Sequence, residues 1–169
     1  VIDILTAMGA DIRLENQRDY GAEPVADIRV RSATLRGIDV DPGLVPLAID
    51  EFPVLFAAAA AAEGTTTFSG LGELRVKESD RIAAMSAGLR KLGIAVDETA
   101  DGAVIHGGPL RGGEVDSFHD HRIAMSLAVA GTIADAEVIV RGVDNVDTSF
   151  PGFAVCLRSL GATIEVMRS

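Results

Sequence analysis

The sequence has little of what several protein classes require. A single cysteine, Cys156, excludes an intramolecular disulfide framework and fits a reducing compartment. Cations are in the minority: 15 Lys and Arg stand against 25 Asp and Glu, a net charge of −10. A nucleic-acid partner rewards a basic face, so no nucleic-acid partner is expected. No run reads as both long and apolar enough to span a bilayer, and no signal peptide opens the chain, so no membrane partner and a cytoplasmic location are expected. The glycine pairs at 107–108 and 112–113 lack the spacing of a nucleotide-binding loop. An initiator methionine is missing, and Val1 reads as lying inside a helix, which implies a fragment of a longer protein.

What is present suits one globular domain. At 169 residues and 48% hydrophobic content the chain can bury a substantial core. It also repeats itself. Leu5-Thr-Ala-Met-Gly9, Leu89-Arg-Lys-Leu-Gly93 and Leu157-Arg-Ser-Leu-Gly161 each read as the last turn of an amphipathic helix closed by a left-handed glycine. An alternating strand should follow each, over 10–15, 94–98 and 162–166. A second module precedes the later two copies. Residues 53–62 and 123–133 are apolar almost all round, so both should be buried helices. Each leads to a short strand, at 65–69 and 137–141, with a further strand at 103–106. Repeat units of about 1–48, 49–113 and 114–169 follow. Residues 42–46 and 107–113 are turn-rich connections.

The charged residues gather where these helices begin. Arg75 to Arg81 reads RVKESDR, three cations, two acids and a serine with only Val76 apolar. Asp50 and Glu51 stand just ahead of Pro53, and Asp120, His121 and Arg122 open the other buried helix. Thr148 and Ser149 precede Phe150-Pro151 at the start of the last one. Free backbone N–H groups and the positive dipole end make each start a potential anion site. If the helices point the same way, the starts converge on one face. Arg75, Lys77, Arg81 and Arg122 would then make a locally basic site on an acidic protein, suited to a small anionic ligand. The competing readings are a solvated charged loop for 75–81 and plain helix capping for Asp50 and Asp120.

IDEFP (49–53), LRVKESDRI (74–82), HDHRIAM (119–125) and TSFPGF (148–153) together resemble the C-terminal lobe of the 5-enolpyruvylshikimate-3-phosphate synthase family. The motifs cover nearly the whole chain in the family's order. The resemblance implies a mixed α and β fold, an inside-out α/β barrel of βαβαββ units with inward-facing parallel helices. It implies transfer of the enolpyruvyl group from phosphoenolpyruvate to the 5-hydroxyl of shikimate 3-phosphate, with no metal or organic cofactor. It places the site between two lobes, of which the N-terminal one is missing here and would be a partner. By the same resemblance Asp50 and Glu78 are the acid–base pair, Asp50 also holding shikimate hydroxyls. Lys77 contacts shikimate 3-phosphate or the transferring group. Arg81 and Arg122 hold phosphoenolpyruvate with forked guanidinium geometry, supported by His121.

Two positions depart from the family's pattern. Thr148 stands where many members carry lysine, and Glu73 where many carry asparagine, so Glu73 is left outside the site. His119 and His121, two apart with no cysteine near, give little support to a metal pair. Cys156, among apolar helix neighbours, reads as an inert core residue, and His106 as functionally silent. The rival readings are enolpyruvyl transfer to a UDP-amino sugar on the same fold, and a non-catalytic module that binds phosphates or a partner lobe.

Overall fold

A computed structural model describes residues 1–167. Seven helices and seven strands alternate along them. Helix α1 (Ile2–Ala7) leads into a long hairpin of β1 (Asp11–Tyr20) and β2 (Glu23–Arg31). Short helix α2 (Val45–Ala48) is followed by α3 (Phe52–Ala60), β3 (Thr65–Phe68), α4 (Arg81–Lys91), β4 (Ala95–Thr99) and β5 (Gly102–His106). The chain continues through β6 (Gly113–Asp116), α5 (His121–Gly131), β7 (Val138–Arg141), α6 (Val146–Ser149) and α7 (Phe153–Ser159).

Local chemistry explains the helix ends. Asp80 caps α4 by accepting from the Ala83 N–H at 3.0 Å, and Asp120 caps α5 by accepting from the Arg122 N–H at 2.9 Å. Helix α3 has Pro53 in its first turn and four alanines, the best helix former, at its end. Gly9, Gly93 and Gly161 have φ of +94°, +87° and +94°. The three repeated glycines are therefore left-handed closures, as the sequence predicts.

The sheets are small and separate: β1-β2, the three-stranded β3-β5-β4, and the parallel pair β6-β7. Residues 35–40 run parallel along the free edge of β3, with Gly37 N–H donating to Glu63 O at 2.8 Å and Thr67 N–H to Ile38 O at 2.9 Å. A Cβ on Gly37 would sit 2.2 Å from Thr65 O, so only glycine allows this approach.

Behind the sheets α3, α4 and α5 share one core. Phe52, Phe56 and Phe68 meet there, Phe56 stacked on Phe68 at 4.7 Å. The helices run parallel. The starts of α4 and α5 touch through Arg81 and Asp120, and about two turns further on Gly88 lies against Leu127. Helix α3 is buried except for half-buried Val54 and Ala58. Helix α5 is buried along one side only, with Met125, Ala128 and Val129 half-buried.

Four expectations are corrected. Residues 162–166 form no strand, although their burial still alternates. In the preceding unit β5 bridges β3 and β4; no counterpart of β5 lies between β7 and 162–166 among the described residues, so their alternation has no ladder to join. The first strand runs on to Tyr20 and gains an antiparallel partner, β2, that the sequence did not announce. Cys156 is exposed, not core, because its side of α7 has no neighbour among the described residues. Finally, Pro42–Ala60 forms 19 helical residues of mean hydropathy 1.6, long and apolar enough by length and composition to cross a membrane. Reading 42–46 as turn hid its length. Its Phe52, Leu55 and Phe56 are buried in the core, and Asp50 and Glu51 interrupt it.

Candidate functional site

Three helix starts meet at one side chain. Arg81, the first residue of α4, is 2% exposed although it carries a permanent charge. Its Nε donates to Asp120 Oδ2 at 2.8 Å, Nη1 to Asp50 Oδ1 at 2.9 Å and Nη2 to Glu78 Oε2 at 2.5 Å. A buried guanidinium demands such pairing, since an unpaired buried charge is prohibitive. Asp120 is fully buried, accepts also from Ser79 Oγ at 3.0 Å, and so joins the RVKESDR and DHRIAM segments.

The other two cations lie around this hub. Arg122, on the first turn of α5, donates Nη1 to Glu51 Oε1 at 2.6 Å and to the Asp50 carbonyl at 3.0 Å. Lys77 Nζ lies 2.6 Å from Glu73 and 3.5 Å from Asp50. The geometry thus brings together Asp50, Lys77, Glu78, Arg81 and Arg122, drawn from three separate motifs. His121 opens α5 half-buried, beside Asp120 in the chain, but makes no side-chain hydrogen bond among the described residues. His119 points elsewhere, toward Asp144 at 3.8 Å, and no three potential metal ligands converge among the described residues.

The expected basic patch is not what the charges form. Lys77, Arg81 and Arg122 meet five carboxylates: Asp50, Glu51, Glu73, Glu78 and Asp120. Arg75 is engaged elsewhere. It donates to Asp80 and Glu98 and to the carbonyls of Thr99 and Ala100, tying the loop before α4 to the end of β4. Sequence reasoning missed Asp120 as a site member, and Glu51 and Glu73 as partners. The i, i+4 spacing of Glu73 and Lys77 was the one signal available. Thr148 Oγ1 donates to Asn145 O at 2.7 Å within α6 and is exposed.

The cations control the acids. Burial pushes the Asp50 carboxyl up, but Lys77, Arg122 and Arg81 outweigh it and hold it below its ordinary value. Asp120 behaves likewise: burial raises it, while hydrogen bonding and charge from Arg81, the Arg122 N–H and Ser79 bring it down. Lys77 is raised, chiefly by its bond to Glu73. Asp50 is thus an anion at neutral pH, able to accept hydroxyl hydrogen bonds. Glu78 is more exposed, at 56% against 43% for Asp50, and one bond to Arg81 holds it. Of these two acids it is the freer to move. Beside the Glu51–Arg122 pair opens a cavity of about 190 Å³, with Asp50, Glu51 and Arg122 on its polar wall and Val54, Met125 and Phe150 among its apolar residues.

Residues 1–157 match the EPSP synthase (3-phosphoshikimate 1-carboxyvinyltransferase) family. A 3-phosphoshikimate 1-carboxyvinyltransferase of Legionella pneumophila (strain Lens) is 56% identical over 165 residues, 98% of this chain and 38% of the relative. One from Coxiella burnetii (strain CbuK_Q154) is 54% identical over 168 residues, 99% of this chain and 38% of the relative. The solved EPSP synthase of Acinetobacter baumannii superimposes with a TM-score of 0.95 at 49% identity, covering 99% of this chain and 40% of that one. The enolpyruvyl transferase NikO of Streptomyces tendae, at 21% identity and a TM-score of 0.65, covers 97% of this chain and 35% of its own and shares the fold. The chain therefore spans about 38% of the length of the curated relatives it matches.

Proposed function

The chain belongs to the EPSP synthase family, and on that premise we propose that it is one domain, most of the C-terminal lobe of a two-lobe cytoplasmic enzyme. The proposed reaction moves the enolpyruvyl group of phosphoenolpyruvate to the 5-hydroxyl of shikimate 3-phosphate. The hydroxyl oxygen bonds to C2 of phosphoenolpyruvate, the methylene carbon gains a proton, and the hydroxyl proton is lost. Phosphate then leaves from C2, and the methyl group gives up a proton to restore the double bond.

One observation carries this reading: Arg81 joins Asp50 and Glu78, which come from different helix starts, at 2.9 Å and 2.5 Å. Asp50, held ionised by three cations, anchors the shikimate hydroxyls and takes up a proton. Glu78 delivers and recovers the methylene proton. Arg122 and Lys77 bind anionic groups of the two substrates, with His121 beside Arg122. Arg81 engages three carboxylates, so its contact with phosphoenolpyruvate follows release of the most exposed one, Glu78. That release frees the acid as the substrate arrives. Three cations against five carboxylates cannot alone neutralise two substrates that each carry a phosphate and a carboxylate; the N-terminal lobe supplies the remainder. The isolated chain accordingly binds its ligands weakly without turnover.

The test is a chemical-shift titration of the chain with phosphoenolpyruvate and shikimate 3-phosphate, separately and together. Shifts should concentrate at 50, 77–81 and 121–122. Shifts centred elsewhere would overturn the assignment.

A further inference from the structure

Two acids beside this site have no part in the proposed reaction, yet each holds a ligand-facing cation. Glu51 makes the shorter of the two Arg122 Nη1 bonds, 2.6 Å, and Glu73 is nearer to Lys77 than Asp50 is, 2.6 Å against 3.5 Å. Neither is locked in. The Glu51 side chain is 47% exposed and that of Glu73 63%, whereas Asp120 on Arg81 is 0% exposed. Either glutamate can turn into water without leaving a buried charge behind, which Asp120 cannot do. The cavity beside the Glu51–Arg122 pair leaves room for another anion at that guanidinium.

We propose that Glu51 and Glu73 are internal counter-anions, holding Arg122 and Lys77 in the empty site and yielding them to the anionic groups of the ligand. The proposal rests on the reading above only in taking Arg122 and Lys77 as anion-binding residues. Binding is then an exchange of anion for anion. An incoming group must break the existing pair, a cost set by the pair itself, and its attraction to the cation must exceed that cost; the attraction grows with the group's charge. A doubly charged phosphate outcompetes a carboxylate for the cation, while a singly charged acid has no advantage over it. The pair therefore sets a threshold that a phosphate-bearing ligand passes more readily than a simple carboxylic acid, as a positioning device rather than a catalytic one.

The experiment titrates the 169-residue chain and its Glu51→Gln and Glu73→Gln variants with inorganic phosphate, phosphoenolpyruvate and acetate at fixed ionic strength. Glutamine keeps the shape and removes the charge. Each variant should bind inorganic phosphate about threefold to tenfold more tightly than the unaltered chain, the range for losing a half-exposed ion pair together with its repulsion of the ligand. Acetate, which the unaltered chain should hold only weakly, should gain as well. Unchanged or weaker phosphate binding in both variants would overturn the proposal, since the acids would then only orient their cations. So would absence of anion binding in all three proteins. If the variants gain phosphate affinity while phosphoenolpyruvate shows no preference for the site, the counter-anion role stands and the enzymatic reading falls.

Discussion

Arg81 and Asp120 are joined at 2.8 Å across 39 positions of sequence, with side chains 1% and 0% exposed. The pair fastens the start of α4 to the start of α5 and orders every other contact of the site. Removing one partner of a buried pair leaves the other uncompensated. Asp120→Asn keeps the cap on α5 but loses the charge, and should cost about 2–4 kcal/mol of stability in urea unfolding, Arg81 retaining two outer partners. Glu78→Gln, at an exposed partner, should cost less than about 1 kcal/mol. Equal costs would show that burial does not set the weight of these pairs.

The same pair sets an acid limit. Asp50 and Asp120 release their protons at lower pH in the folded protein than the ordinary carboxyl value of 3.8. As pH falls, the unfolded chain therefore binds protons first. Their stabilisation is complete above that ordinary value and disappears as pH drops through the lower folded values. Urea midpoints followed from about pH 7 to about pH 2 should fall steeply at the acid end. Asp120→Asn should begin lower and fall less. A parallel loss in both proteins would place the acid sensitivity elsewhere.

Cys156 offers a simple check on α7. Exposed thiols react in the native state, whereas core thiols wait for unfolding. One equivalent of thiol should titrate with an aromatic disulfide reagent in native buffer, at a rate within about tenfold of that in urea. Reaction only after unfolding would mean that α7 is covered.

Much of this was legible in the sequence, for identifiable reasons. The three Leu-x-x-Leu/Met-Gly endings report a local event, a helix closed by a left-handed residue, and local events survive in sequence. Helices α3 and α5 were legible because most of their positions are apolar, although α5 is buried along one side only. Strand pairing is not local: 162–166 alternates as a strand should and finds no partner, while β2 forms with Ile28 and Val30 largely exposed. Apolar spacing likewise cannot say which side of a helix has a neighbour, and Cys156 lies beside exposed Val155 on such a side. In the site, the motifs exposed the side chains proposed to react but not their partners. Glu51 and Asp120 find their partners only where separate helix starts meet, whereas Glu73 pairs with Lys77 within one segment.

Phosphate release from phosphoenolpyruvate with shikimate 3-phosphate, measured on the chain joined to its N-terminal lobe, tests the central claim most directly when Glu78→Gln is run beside the unaltered protein. The unaltered protein should release phosphate only with both substrates present. Glu78→Gln should bind both within a few-fold and lose about a thousandfold or more in turnover, the scale of a proton-transfer group. Full turnover by Glu78→Gln would contradict the account and place the proton transfer on another residue.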